Sequence, residues 1–245
     1  MTAIVGVLCQ DGVVVGTDSS ATFSSATSRT IEQPTEKISI FGDSIIVAGT
    51  GQVGHGQRFK AIVDKSLKDG LFNRSAITIA KELSKLTIED FAYTYSSKGE
   101  YGALLAFPAN GMFHLCEFAV KDFQPEFKTK LLWYVSLGAT QHITDSFLAL
   151  MREVFWKNEP PSLSDGVFAT TWALDHAVAI NPGGVNSPVR IATLRSIEKK
   201  QLVAEILSDA ALGEHRQNID GAKKALRDYC DAMRMNIETP DVPRP

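Results

Sequence analysis

The chain of 245 residues is 44% hydrophobic and 22% charged, the balance of a folded globular protein and not of a disordered one. A formal net charge of −3 gives no electrostatic footprint for nucleic acid or an anionic membrane surface, and no apolar run reaches the ~18 residues that a membrane span needs. Cys9, Cys116 and Cys230 are odd in number and far apart, and the histidines show no paired spacing, so no disulfide framework, no metal site and no cofactor is expected.

Residues 3 to 9 and 13 to 17 are rich in Val, Ile and Leu around Gln10-Asp11-Gly12, the signature of a hairpin. The Ser/Thr-rich stretch from Ser19 to Thr35 reads as an irregular connection. A second hairpin follows, Lys37 to Phe41 and Ser44 to Ala48 across Gly42-Asp43, so four strands come first. Phe59, Ile62, Val63 and Leu67 mark one side of a helix from Val53 to Leu67, and Ser75 caps a second from Ile77 to Tyr93, packed as an antiparallel pair. Asn110-Gly111 turns a hairpin of Tyr101 to Pro108 and Met112 to Ala119. A strand from Leu131 to Leu137 ends at Gly138, and a helix spans Ile143 to Trp156. Ser164 or Asp165 caps a further helix to about Ile180, stopped by Pro182-Gly183-Gly184. Strands at Pro188 to Leu194 and Leu202 to Leu207, a helix from about Asp220 to Met235 and a Pro-rich tail complete the chain.

This order, with no linker composition inside it, predicts one α+β domain over residues 1–245. Two antiparallel sheets stack and helix pairs cover their outer faces, a four-layer αββα sandwich. Residues 208–245 read as a helical appendage whose Tyr229, Met233 and Met235 pack on their own domain. The amino terminus lacks the basic and long apolar segments of a signal peptide, so a cytoplasmic protein is expected.

Thr2 stands behind a single methionine. Removal of Met before a small side chain would place a hydroxyl and a free α-amine on one residue, a nucleophile with its own base. An α-amine pKa of roughly 7.7–8.0 suits it to take the hydroxyl proton near neutrality. Taken alone, a threonine in that position is commonplace.

Gly49-Thr50-Gly51-Gln52-Val53-Gly54 satisfies the dinucleotide pattern G-x-G-x-x-G. That reading needs a parallel strand returning after the helix, and here the chain passes from Leu67 into a second helix. The glycines fit a tight strand-to-helix turn, or a backbone N–H at Gly49 directed at a developing oxyanion.

Together, Thr2, the segment DGVVVGTDSSAT with Asp18, the strand entry Glu36-Lys37-Ile38 and the turn IIVAGTGQVG resemble the proteasome β-subunit and HslV superfamily. The resemblance is clearest over residues 2 to 60, weaker through Gly138 and the Pro-Gly-Gly turn, and is most similar to the betaproteobacterial proteasome homologue. HslV itself is shorter, and the Anbu proteins are less close at the Thr-Ala-Ile-Val-Gly start. The resemblance implies the N-terminal nucleophile hydrolase fold, a threonine endopeptidase, and assembly into a homo-oligomeric double ring that encloses peptide or unfolded-protein substrates, without specifying an ATPase partner. Carried over by position, Thr2 is the nucleophile, Lys37 lowers the proton affinity of its amine and hydroxyl, Asp18 holds Lys37, and Gly49 N–H receives the oxyanion. Ala21, Thr35, Val47 and Gly51 would line the substrate pocket, and their size favours an uncharged side chain there.

Three positions depart from the family. Ala139 stands where a serine usually follows Gly138, and Asn181 stands where a carboxylate is usual, with Gly184 at the place of a second serine. Thr140 or Ser187 could supply a hydroxyl in a shifted register. An amide forms hydrogen bonds but carries no charge to hold a protonated amine, so Asn181 implies a slow or narrowly tuned peptidase. A catalytically silent ring scaffold, and an amidase acting on a small molecule, are the competing readings.

Overall fold

The computed structural model describes residues 1–23, 31–94, 101–181, 183–197 and 201–234. Apolar residues at both parities of β1 (Ala3–Leu8) and β2 (Gly12–Thr17) demand burial on both faces of the sheet. Ala3, Val5, Val7 and Val14 pack toward helices, while Ile4, Val13 and Val15 pack toward a second sheet.

Among the described residues, strands β3 (Ser20–Phe23) and β4 (Ile31–Pro34) pair only with each other, then β5 (Ile38–Phe41) and β6 (Ile45–Gly51) form the next hairpin. Helices α1 (Val53–Lys68) and α2 (Ala76–Tyr93) follow. The chain continues through β7 (Tyr101–Ala109), β8 (Met112–Phe118), β9 (Pro125–Phe127) and β10 (Tyr134–Gly138). Helices α3 (Gln141–Phe155) and α4 (Leu163–Ile180), strands β11 (Arg190–Ser196) and β12 (Leu202–Ile206), and helix α5 (Asp209–Arg234) complete it.

One sheet has the order β10-β1-β2-β11-β12 and the other β5-β6-β7-β8-β9, with antiparallel neighbours throughout. Between them lies an apolar layer that includes Ile4, Val15, Ile46, Ala48, Leu104, Ala106, Leu115 and Leu194. Outside the first sheet, α3, α4 and the start of α5 cover Val5, Val7 and Val14. Outside the second, Phe59 and Val63 of α1 and Ile79 and Leu83 of α2 cover Val47, Leu105 and Phe107. The four-layer αββα arrangement is therefore present.

Several elements differ from the sequence expectation for local reasons. The stretch read as irregular contains β3 and β4, each only four residues long and so too short to stand out as a period; residues 24–30 lie outside the described residues. Among the described residues six strands thus precede α1 where four were expected. Three-residue β9 is too short to show a period. Helix α4 is capped by Ser162, whose Oγ accepts from Asp165 N–H at 3.2 Å, and not by Ser164 or Asp165. Ser75 does cap α2 as expected.

Helix α5 begins at Asp209 and not near Asp220, because Leu212 and Ile219 are buried against α4 and Arg216 makes a bidentate pair with Asp175 at 2.9 and 3.1 Å. Its first half is part of the core and not an appendage. In its second half Tyr229 is half-buried and Met233 is 54% exposed; Met235 and the tail lie outside the described residues.

Leu104 is fully buried at the centre of the layer between the sheets. Leu104→Ala should cost about 2–5 kcal/mol, because the two rigid sheets around the lost side chain cannot collapse fully. Urea unfolding should show this as a lower midpoint with an unchanged slope.

Candidate active site

The first hairpin fixes the site's chemistry. Its register, Ile4 opposite Thr17, brings Asp18 beside Ala3. Ala3 N–H donates to Asp18 Oδ1 at 2.9 Å, Asp18 N–H donates to Ala3 O at 3.2 Å, and Ser20 N–H donates to Asp18 Oδ2 at 3.1 Å. The carboxylate is fully buried, and these donors replace the water it has lost.

Lys37, immediately before β5, reaches the same carboxylate, with Nζ 2.5 Å from Asp18 Oδ1 and 3.4 Å from Met1 O. The Lys37 and Asp18 side chains are 7% and 0% exposed. Burial pushes the Lys37 ammonium below its ordinary 10.5, while the charge and hydrogen bond of Asp18 act in the opposite direction.

The far side of Thr2 is held by backbone. Strand β10 runs beside β1 with Gly138 opposite Ala3, and Ala139 N–H donates to Thr2 O at 2.8 Å. Gly138 has φ of 97°, and a Cβ there would lie 2.1 Å from Thr2 O. Only glycine permits both that conformation and that approach. The residue after Gly138 thus holds Thr2 through its main chain, which any side chain at 139 would allow.

The third wall is β6. Its ladder with β5 stops at Ile38 opposite Ala48, while its ladder with β7 continues to Gly51 opposite Tyr101. Gly49 and Gly51 therefore extend past the end of β5 and border a recess of about 260 Å³. Helix α1 begins at the same place, with no acidic residue in its first turn and no side-chain cap. The positive end of its dipole is left available at the recess.

Thr2, Lys37, Gly49, Ala21, Thr35 and Gly51 all line this recess. Val47 does not: it is fully buried and faces α1 and α2, as its parity in β6 dictates. Asn181 does not line it either. It is the residue after α4, and its side-chain amide donates to Gly183 O at 2.6 Å. Ser187 is exposed, and Thr140 is fully buried at the start of α3; neither reaches the recess.

Sequence reading missed Glu36, Gln52, Val53, Gly56, Gln57, Lys60 and Tyr101, which with Met1 complete the lining. Val53, Gly56, Gln57 and Lys60 follow i, i+3, i+4, i+7 and could have been found as a second stripe beside the buried face of α1. Glu36 and Lys60 bring charge to a pocket expected to be neutral. Burial lowers the Lys60 pKa, with Glu36 opposing it. The G-x-G-x-x-G glycines begin in an antiparallel strand, which rules out the dinucleotide geometry.

Residues 2–118 match the family model described as Proteasome subunit. Anbu (ancestral beta-subunit) from Yersinia bercovieri superposes with a TM-score of 0.68, covering 91% of this chain and 95% of that chain. Just under half of the chain is therefore similar to a proteasome subunit. The family match reaches well beyond the resemblance quoted for residues 2 to 60 and takes in both α1 and α2. At 13% identity the likeness to Anbu shows the proteasome-type fold alone, and no curated protein matches the sequence. Among the described residues, no helix is long and apolar enough to cross a membrane.

Removing the Asp18 carboxylate leaves a 93%-buried lysine without its counter-charge, since Lys37 is 7% exposed. Asp18→Ala should therefore cost about 3–5 kcal/mol in chemical denaturation. A loss below ~1 kcal/mol would place the pair with ordinary surface ion pairs.

Proposed function

We propose that this proteasome-type chain is a threonine endopeptidase subunit of a self-compartmentalising ring, acting on peptides or unfolded proteins. The observation that carries the reading is that Thr2, Lys37 and Gly49 line one recess, while the buried Asp18 carboxylate pairs with Lys37. Removal of Met1 would free the α-amine of Thr2. That amine takes the Oγ proton as Oγ attacks a peptide carbonyl carbon. The oxyanion forms against Gly49 N–H, at the positive end of α1. Collapse breaks the C–N bond, the departing amine takes the proton, and water then hydrolyses the ester on Thr2.

Lys37 keeps its proton throughout. Its charge lowers the proton affinity of the neighbouring amine and stabilises the developing alkoxide. Asp18 positions Lys37 and, through Ala3 N–H, the backbone that carries Thr2. Ala139 contributes a backbone hydrogen bond and Asn181 stands away from the recess, so orientation of the nucleophile relies on fewer side chains than the family pattern implies. A slow or narrowly tuned enzyme follows from that. The ring, taken as a homo-oligomeric double ring, and a cytoplasmic location belong to the same reading; native mass spectrometry of the intact assembly tests the ring.

A peptide epoxyketone bonds both the hydroxyl and the free amine of an N-terminal threonine. Intact mass should show protein lacking Met1 and carrying one inhibitor, and Thr2→Ala should carry none. Wild-type protein without Met1 that forms no adduct would instead identify a silent ring scaffold.

Lys37→Met should lower kcat/KM by roughly 10²-fold or more through loss of electrostatic stabilisation. With the wild type, kcat/KM should fall as pH rises through the depressed Lys37 value, below 10.5. In that window the unfolded chain binds more protons at this lysine than the folded one does, so this group's contribution to stability rises with pH. Loss of activity without matching loss of Tm, referenced to Lys37→Met, separates loss of charge from unfolding.

A further inference from the structure

Tyr101 is the first residue of β7 and pairs with Gly51. Its ring belongs to the aromatic cluster under α1 and α2, 5.9 Å from Phe59 and stacked on Phe123 at 6.1 Å. The residue is 4% exposed, it lines the recess, and its hydroxyl has no partner among the described residues. Burial drives the phenol pKa far up, so it stays protonated and is available as a donor. A buried hydroxyl without a partner is destabilising, which makes its place at a recess wall informative.

Two glycines make room for that hydroxyl. A Cβ on Gly49 would lie 2.0 Å from the phenol oxygen, and a Cβ on Gly56 would lie 3.2 Å from the ring. Any side chain at 49 would displace the phenol. Gly49 is also the residue whose N–H receives the oxyanion in the mechanism above. A substrate carbonyl held there belongs to the residue on the acyl side of the scissile bond, called P1, and Ala21, Gly51 and Tyr101 line the same recess.

We infer that Tyr101 is a specificity-determining residue whose hydroxyl donates to a carbonyl oxygen at the end of the P1 side chain, selecting glutamine or glutamate over an apolar side chain of equal length. The inference rests on the peptidase reading. It replaces Val47 as the inner end of the pocket with a hydrogen-bond donor. Lys60, on the α1 side of the same recess, offers a second donor. A site that pairs its buried polar group with substrate rejects the analogue that leaves the group unpaired.

The test compares tripeptide epoxyketones identical except for Gln, Glu or Met at P1, followed by the rate of adduct formation on Thr2. Wild type should react about 10-fold faster with the better of Gln and Glu than with Met. In Tyr101→Phe that ratio should fall to about 1. Faster reaction with Gln assigns an amide acceptor, and faster reaction with Glu assigns a carboxylate. A wild-type preference for Met, or a ratio unchanged in Tyr101→Phe, overturns the inference while leaving the peptidase reading intact. No adduct from any probe on protein lacking Met1 overturns both. Tyr101→Phe keeps the ring and removes only the hydroxyl, so its Tm should equal or exceed that of wild type. A clear fall in Tm would assign the hydroxyl a structural role and also overturn the inference.

Discussion

The site depends on one buried carboxylate. Asp18 is enclosed by protein, and an isolated charge in that position would be strongly unfavourable. Its position is tolerable because three different pieces of chain donate to it: the start of β1 at Ala3, the start of β3 at Ser20, and Lys37 ahead of β5. The same contacts tie the first sheet to the second at the point where a nucleophile would stand. Fold and chemistry therefore share a component, and neither can be altered there alone.

Around that carboxylate, positioning is done largely by main chain. Thr2 is held at its carbonyl by Ala139 N–H, and the next amide, that of Ala3, is held by Asp18. Main-chain contacts of this kind are fixed by strand register, so they are insensitive to side-chain identity at 139. The loss of a hydroxyl there removes an orienting group without loosening the residue being oriented. The same economy appears at Gly138 and Gly49, where missing side chains let Thr2 O and the Tyr101 phenol come close.

Much of this was legible in the sequence. Thr2, Asp18 and Lys37 lie just beyond strand ends and Gly49 near the end of β6; register brings them together within each hairpin, and the stacking of the two sheets brings the hairpins together. Val47 was misread because a pocket assignment by position overlooked strand parity, which turns Val47 toward the helices. Tyr101 could not be found locally, since its relation to Gly51 and Gly49 arises from pairing between β6 and β7 across two intervening helices. Asn181 was placed by family position, but its amide is engaged by the turn that follows α4. The start of α5 was hidden by Gly213 and by a polar run whose buried positions, Leu212 and Ile219, are two turns apart. Hydropathy patterns report faces well and partners poorly.

The unequal length of β5 and β6 has a further consequence. Where β6 runs on past its neighbour, at Gly49 to Gly51, it presents an open strand edge beside the recess, and Ala21 of β3 borders the same space. An open edge is a template for an added strand, and only an extended chain can fill it. Main-chain pairing of that kind reads no sequence and admits no folded helix or compact loop. On the peptidase reading, the fold itself would sort substrates by their state of folding, and the recess would be left to sort them by a single side chain.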